Sequence, residues 1–331
     1  MTYHQPRTLY FNTLRLISSK CNIHGAENIL RCPQVKRKTL RCLQGCLPYF
    51  TSSTNMTSFR SRLEGYGGGS VDLTKDVADG IAIVTLNNPD KKNALSGKMM
   101  LDFRNVVEEL ETWDDGKGVI LTGSQRTFCS GGDLTTVQNI LTSEQGYEMA
   151  EFMHETLTRL HRLPLVSMAL VQGNAIGGGA ELTTACDFRV MTNTARIGFV
   201  QMKMGVLTGW GGATRLVGLV GRSRALDILC SSRLLSSQEC LRQGLIDHII
   251  PLQPPKEESI EEDEVTLRIG RAWLSQYCHA DVNLVRDMKT VVIEACESDY
   301  ISSLEKERAI FSKTWGGPAQ KRALDLNIKH S

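Results

Sequence analysis

Residues 173–182 read Gly173-Asn174-Ala175-Ile176-Gly177-Gly178-Gly179-Ala180-Glu181-Leu182. The run before them, Leu165–Val171, is apolar and has the length of a buried strand, and the run after them has helical periodicity. Glycines between a strand and a helix leave backbone N–H groups unshielded at the helix start. The helix dipole adds partial positive charge at the same point. A second stretch of this kind stands upstream, at Phe128-Cys129-Ser130-Gly131-Gly132-Asp133-Leu134 after the apolar run 118–122. Two such turns that converge make a pair of fixed donors for a developing oxyanion. The donors expected from the two turns are the N–H groups of Gly132 and Gly178. The bland alternative is that these glycines only permit tight turns.

Four segments, in order, carry a resemblance. They are Asn88-Pro89-Asp90-Lys91-Lys92-Asn93-Ala94-Leu95, the two glycine turns (the second continued by Thr183-Thr184-Ala185-Cys186-Asp187), and the stretch from Gly205-Val206 to Gly211-Gly212-Ala213-Thr214-Arg215-Leu216. Together they resemble the crotonase (enoyl-CoA hydratase/isomerase) superfamily from about Val71 to the C-terminus. The resemblance implies an α/β fold, a spiral of ββα units closed by a C-terminal helical subdomain. The implied divisions are a basic, disordered leader at 1–65, a spiral core at 66–255 and a trimerisation subdomain at 256–331. It also implies an acyl-CoA substrate, with CoA contacts at Lys92, Ala94, Ser130, Gly131 and Asp133. No separate cofactor is expected, because coenzyme A belongs to the substrate, and no metal. The implied assembly is a homotrimer or homohexamer.

Chemistry within the family divides by the side chains over the substrate α-carbon. Its hydratases use two carboxylates, one just after the second glycine turn and one twenty residues later. Here Glu181 takes the first place and Gln201 the second. An amide does not titrate near neutral pH and cannot serve as general acid or base. Decarboxylation asks less, since CO2 departs without a proton. A second carboxylate would repel a malonyl-type substrate by about 4 kcal/mol at 4 Å and an effective dielectric near 20. The expectation is therefore a carboxy-lyase for a malonyl-type thioester; the resemblance implies a short branched one, ethylmalonyl-CoA before methylmalonyl-CoA, giving butyryl-CoA and serving metabolite repair. Glu181 has two readings, proton donor to the enolate or buttress of the turn. Trp210, Thr208 and Phe199 are expected to shape the acyl pocket. The alternatives are hydratase, isomerase or thioester hydrolase activity, and more remotely RNA binding, since the family includes an RNA-binding member.

Composition sets the frame. The 331 residues are 41% hydrophobic and 22% charged, with a net charge of +2. Residues 1–63 hold ten Lys and Arg against the single acid Glu27, so the rest is mildly acidic. An Arg-rich, acid-poor start reads as a mitochondrial transit peptide or as a plain leader. The resemblance points to the cytosol, with the mitochondrial matrix as the alternative. A basic arm without interleaved aromatics is weak evidence for nucleic acid, and none is expected. No apolar run reaches the length of a membrane span. The ten cysteines show no paired metal spacing and read as free thiols, with Cys186 and Cys230 in apolar surroundings and Cys129 a packing residue rather than a nucleophile.

Overall fold

The computed structural model describes residues 53–252 and 261–325. It opens with helix α1 (Ser53–Glu64), strands β1 (Ser70–Asp76) and β2 (Ile81–Asn87), and helix α2 (Gly97–Glu111). Asp76 and Asp79 turn the first hairpin by accepting from the N–H groups of Ala78 and Ile81, each at 2.9 Å. Ser96 caps α2 by accepting from Met99 N, as its position before an apolar-periodic run predicts. Strand β3 (Gly118–Gly123) follows, then α3 (Leu134–Gln138) and α4 (Ser143–Arg162). A helical break near Gly146 is the expectation from sequence. The break falls at 139–142 instead, because Thr142 and Gln145 form a reciprocal capping box that starts α4 just before that glycine.

Strands β4 (Val166–Val171) and β5 (Asn174–Ile176) flank the second glycine turn, and α5 (Gly178–Thr183) leaves it. Next come β6 (Phe188–Thr192), β7 (Arg196–Gly198), a 3-10 turn at Gln201–Met204, α6 (Gly212–Val220), α7 (Arg222–Ser231), β8 (Leu235–Ser236), α8 (Ser237–Gln243) and β9 (His248–Ile250). The larger sheet has the order β1-β2-β3-β4-β6-β9 and is parallel except for the β1–β2 hairpin. The smaller sheet runs β5-β7-β8. From β4 to β9 the chain passes back and forth between the two sheets, with β7 and β8 both in the smaller one, which is the spiral that the resemblance implies.

The chain ends in helices α9 (Glu261–Ser275), α10 (Val282–Glu297), α11 (Tyr300–Thr314) and α12 (Pro318–Asp325). Helix α9 packs Leu274 against Ile81, Ile120, Met168 and Leu170 on one face of the larger sheet. The main core fills the other face, so the strands from β2 to β9 in that sheet are apolar on both sides, while edge strand β1 turns only Val71 and Leu73 to the main core. Lys289 of α10, almost fully buried, pairs with Asp187, whose carboxylate also accepts from Ser167 N at 2.7 Å and Ser167 Oγ at 2.9 Å. That pairing fastens the C-terminal helices to the strand that follows α5. Helices α11 and α12 bury no side chain.

Three expectations shift. The end of the supposed leader is the ordered helix α1, with Phe59 and Leu63 in the main core and Phe59 edge-on to Phe152 at 6.1 Å. Residues 66–70, Tyr66-Gly67-Gly68-Gly69-Ser70, read from their glycines as a flexible hinge, but they are tied down: Ser96 Oγ donates to Gly68 O at 2.6 Å and Lys98 N to Tyr66 O at 3.2 Å. Cys230 is exposed, because α7 turns Ala225 and Ile228 to the core instead. Residues 1–52 and the linker expected at Pro254–Glu258 lie outside the described residues.

Candidate active site

The two glycine turns are joined by backbone bonds. Cys129 N donates to Asn174 O at 3.1 Å, and Ile176 N donates to Cys129 O at 2.9 Å. The first turn is thereby a partner of β5, inside the second. Contact is so close that a Cβ on Gly179 would lie 2.1 Å from Cys129 O. Gly131, at a φ of 102°, would place a Cβ 3.1 Å from Gly178 N. Covalent geometry then keeps the Gly132 nitrogen within about 7 Å of the Gly178 nitrogen. Gly132 and Gly178 stay half-buried while Gly131, Asp133, Gly177 and Gly179 are buried. Among the described residues, neither the Gly132 N–H nor the Gly178 N–H donates to another group.

Trp210 lies across both turns. A Cβ on Gly178 would sit 2.3 Å from its Cζ3, and one on Gly132 would sit 3.7 Å from its Cζ2. The benzo ring of the indole therefore bridges the two glycines whose N–H groups are free. Trp210 is 4% exposed. Val137 flanks the same place, its Cγ2 3.4 Å from the Gly132 Cβ position.

Glu181, 2% exposed, holds the loop that carries Trp210. Its Oε2 accepts from Trp210 N at 2.9 Å and Gly212 N at 2.8 Å, and its Oε1 accepts from Gln201 Nε2 at 2.8 Å. Burial pushes its pKa above the ordinary carboxylate value, while the Gly212 and Trp210 N–H groups, the Gln201 amide and the Arg215 charge pull the other way without cancelling it. Gln201 Oε1 is buried without a hydrogen-bond partner. One hydrogen of the Gln201 amide nitrogen is thus turned to Glu181. Arg215 donates to Trp210 O at 2.5 Å and to Thr184 Oγ1 at 3.0 Å.

The segments expected to meet CoA are stitched together. Ser130 N donates to Lys92 O at 3.0 Å, Ser130 Oγ to Lys91 O at 3.1 Å, and Leu95 N to Gly131 O at 2.8 Å. Lys92 takes a left-handed backbone with φ 52° and exposes its side chain, while Ala94 is buried. Asp133 caps α3 by accepting from Thr135 N at 2.7 Å, and it pairs with Lys91 at 2.6 Å. Burial alone would raise its pKa, but Lys91 and the Thr135 and Thr136 N–H groups hold it below the usual value. Its carboxylate is thus occupied within the protein. Phe199 is 1% exposed and belongs to the main core. Thr208 is half-buried in the loop before Trp210. Cys129 is buried, and burial pushes its thiol up to about 12, which leaves no thiolate near neutral pH. Sequence reasoning missed β5 and the roles of Lys91 and Arg215. Lys91 lies inside the first matched segment and Arg215 inside the last, which is the signal that could have found them.

Two glycine turns joined edge to edge, with unengaged N–H groups under one indole, define a site that can stabilise an oxyanion. The family model described as enoyl-CoA hydratase/isomerase matches residues 76–322, and the chain belongs to that family. Ethylmalonyl-CoA decarboxylase of Rattus norvegicus is 46% identical over 270 residues, 81% of this chain and 87% of the relative. The Bos taurus protein of the same name is 43% identical over 88% of this chain and 93% of its own length. Among solved structures, the enoyl-CoA hydratase from Bacillus anthracis superposes with a TM-score of 0.68 at 24% identity, over 78% of this chain and 95% of that one. A putative enoyl-CoA hydratase from Thermobifida fusca, solved in complex with acetoacetyl-CoA, has a TM-score of 0.64 at 24% identity, over 74% of this chain and 94% of its own. These two show the shared fold.

Proposed function

We propose that this protein decarboxylates a short branched malonyl-CoA thioester, ethylmalonyl-CoA to butyryl-CoA, with methylmalonyl-CoA the poorer substrate. The bond between the α-carbon and the carboxylate breaks, CO2 leaves, and the electron pair passes into the thioester as an enolate. The Gly132 and Gly178 N–H groups receive the enolate oxygen, and a proton from water is then added at the α-carbon, leaving hydroxide to be neutralised by solvent. Donors fixed where the charge develops favour the enolate over the neutral thioester, which lowers the barrier rather than only tightening binding. The relatives named ethylmalonyl-CoA decarboxylase support the substrate, matching at 40–46% identity.

One observation carries the choice of reaction. Where a hydratase would hold its second carboxylate, Gln201 instead donates to Glu181. The site has one carboxylate and no pair to activate water and protonate carbon. The same reading extends to assembly as a homotrimer or homohexamer through the C-terminal helices. Met288 and Val292 of α10 and Ile301, Leu304 and Phe311 of α11 are exposed apolar groups suited to such packing. The activity is tested by incubating the purified protein with each epimer of ethylmalonyl-CoA and following butyryl-CoA by mass spectrometry. Absence of product from both would dispose of the reading.

A further inference from the structure

Both oxygens of Glu181 are already engaged, and the partners say what for. Three of the roughly four lone-pair sites of a carboxylate are taken by Trp210 N, Gly212 N and Gln201 Nε2. A proton donor to a substrate carbon must hold its proton on an oxygen directed at that carbon. Here the oxygens are directed at the 209–212 loop and at a neighbouring amide. Charge-assisted bonds to backbone N–H groups are short, strong anchors for a loop. Arg215 supplies a second anchor, binding Trp210 O and Thr184 Oγ1. Glu181 and Thr184 belong to α5 and its C-terminal cap, the helix that begins at Gly178. One short helix therefore carries an oxyanion donor at its start and fixes, from two further positions, the indole that covers that donor.

We infer that Glu181 is a positioning residue, whose carboxylate holds the 209–212 loop so that Trp210 walls the space beside the Gly132 and Gly178 N–H groups and sets which α-substituent fits. It does not supply the proton to the enolate. The inference rests on the decarboxylase reading above.

Two conservative variants separate positioning from proton donation because they fail in opposite ways. Glu181→Gln removes the acid but keeps an oxygen for the Trp210 and Gly212 N–H groups. Its new NH2 group meets the Gln201 carbonyl oxygen once that amide turns over, and that oxygen has no partner now. Glu181→Asp keeps the acid but withdraws both oxygens from the loop by one methylene. Both variants and the wild type are compared for kcat/KM on ethylmalonyl-CoA and methylmalonyl-CoA, with folding checked by circular dichroism. The expected result is Glu181→Gln within about tenfold of wild type with the substrate ratio kept, and Glu181→Asp slower than Glu181→Gln with the ratio drawn towards one. Glu181→Asp faster than Glu181→Gln, or a wild-type ratio in Glu181→Asp, would overturn the inference. A wild type that releases no CO2 from either substrate overturns the decarboxylase reading instead, so the two failures are told apart.

Discussion

Trp210 sits so tightly over Gly178 that a Cβ at that glycine would lie 2.3 Å from Cζ3 and 2.7 Å from both Cε3 and Cη2. No rotation of a buried indole in a packed core absorbs such an overlap. Gly178→Ala must displace either the turn, which carries the proposed oxyanion donor, or the ring that walls the space beside it. Its kcat should fall by about 10²–10³, the usual cost of one lost oxyanion donor. Retention of wild-type kcat by folded Gly178→Ala would remove the Gly178 N–H from the mechanism.

Gln201 decides between reactions. The wild type should hydrate crotonyl-CoA only marginally, as read by the loss of enoyl-thioester absorbance. Gln201→Glu places a carboxylate where the Gln201 amide now meets Glu181 at 2.8 Å. Two carboxyls that close cannot both ionise and must share a proton. The variant should gain hydration, because the proton-sharing pair offers one acid and one base where the wild type has a carboxylate and an amide. Brisk hydration by the wild type would contradict the reading of this amide.

The Asp133 cap should show in the pH dependence of stability. Lys91 and the Thr135 and Thr136 N–H groups outweigh burial and hold its folded pKa below the ordinary value. Its contribution is therefore present above about pH 4 and fades as pH falls through the depressed value. Asp133→Ala should lose about 1 kcal/mol or more at neutral pH, as for a lost helix cap. The gap in melting temperature from wild type should close below pH 4. A gap that is constant from pH 7 to pH 3 would show that the ionised form is not what stabilises.

Cys129 should be dispensable for turnover as a side chain. With its thiol pushed up to about 12 and fully buried, iodoacetamide at neutral pH should leave activity unchanged. Folded Cys129→Ala should stay within a few-fold of wild-type kcat. Rapid inactivation by the alkylating agent, protected by acyl-CoA, would restore the nucleophile reading.

Much of this site is legible along the chain because its parts are local. The Ser96 cap, the strand before each glycine turn and the absence of a second carboxylate at Gln201 each depend on a few adjacent residues. What the sequence hides is set by distant partners. β5 is three residues long, too short for periodicity, and exists because β7 and Cys129 pair with it. The position of Trp210 over Gly132 and Gly178 depends on Glu181, 29 residues before it, and on Arg215, which ties Trp210 O to Thr184, 31 residues upstream of the arginine. Helix α1 looks like leader by composition, and only the hydrophobic pocket around Phe152 makes Phe59 a core residue.

That helix limits how far the polypeptide can be trimmed from its basic side. A proteolytic cut just before Gly65 would strip away Phe59 and Leu63 and open apolar surface on α2 and α4, each lost side chain being worth about 1.5–3 kcal/mol. Any maturation that discards the arginine-rich arm must spare these two side chains, so a tolerated cleavage point would lie upstream of Phe59.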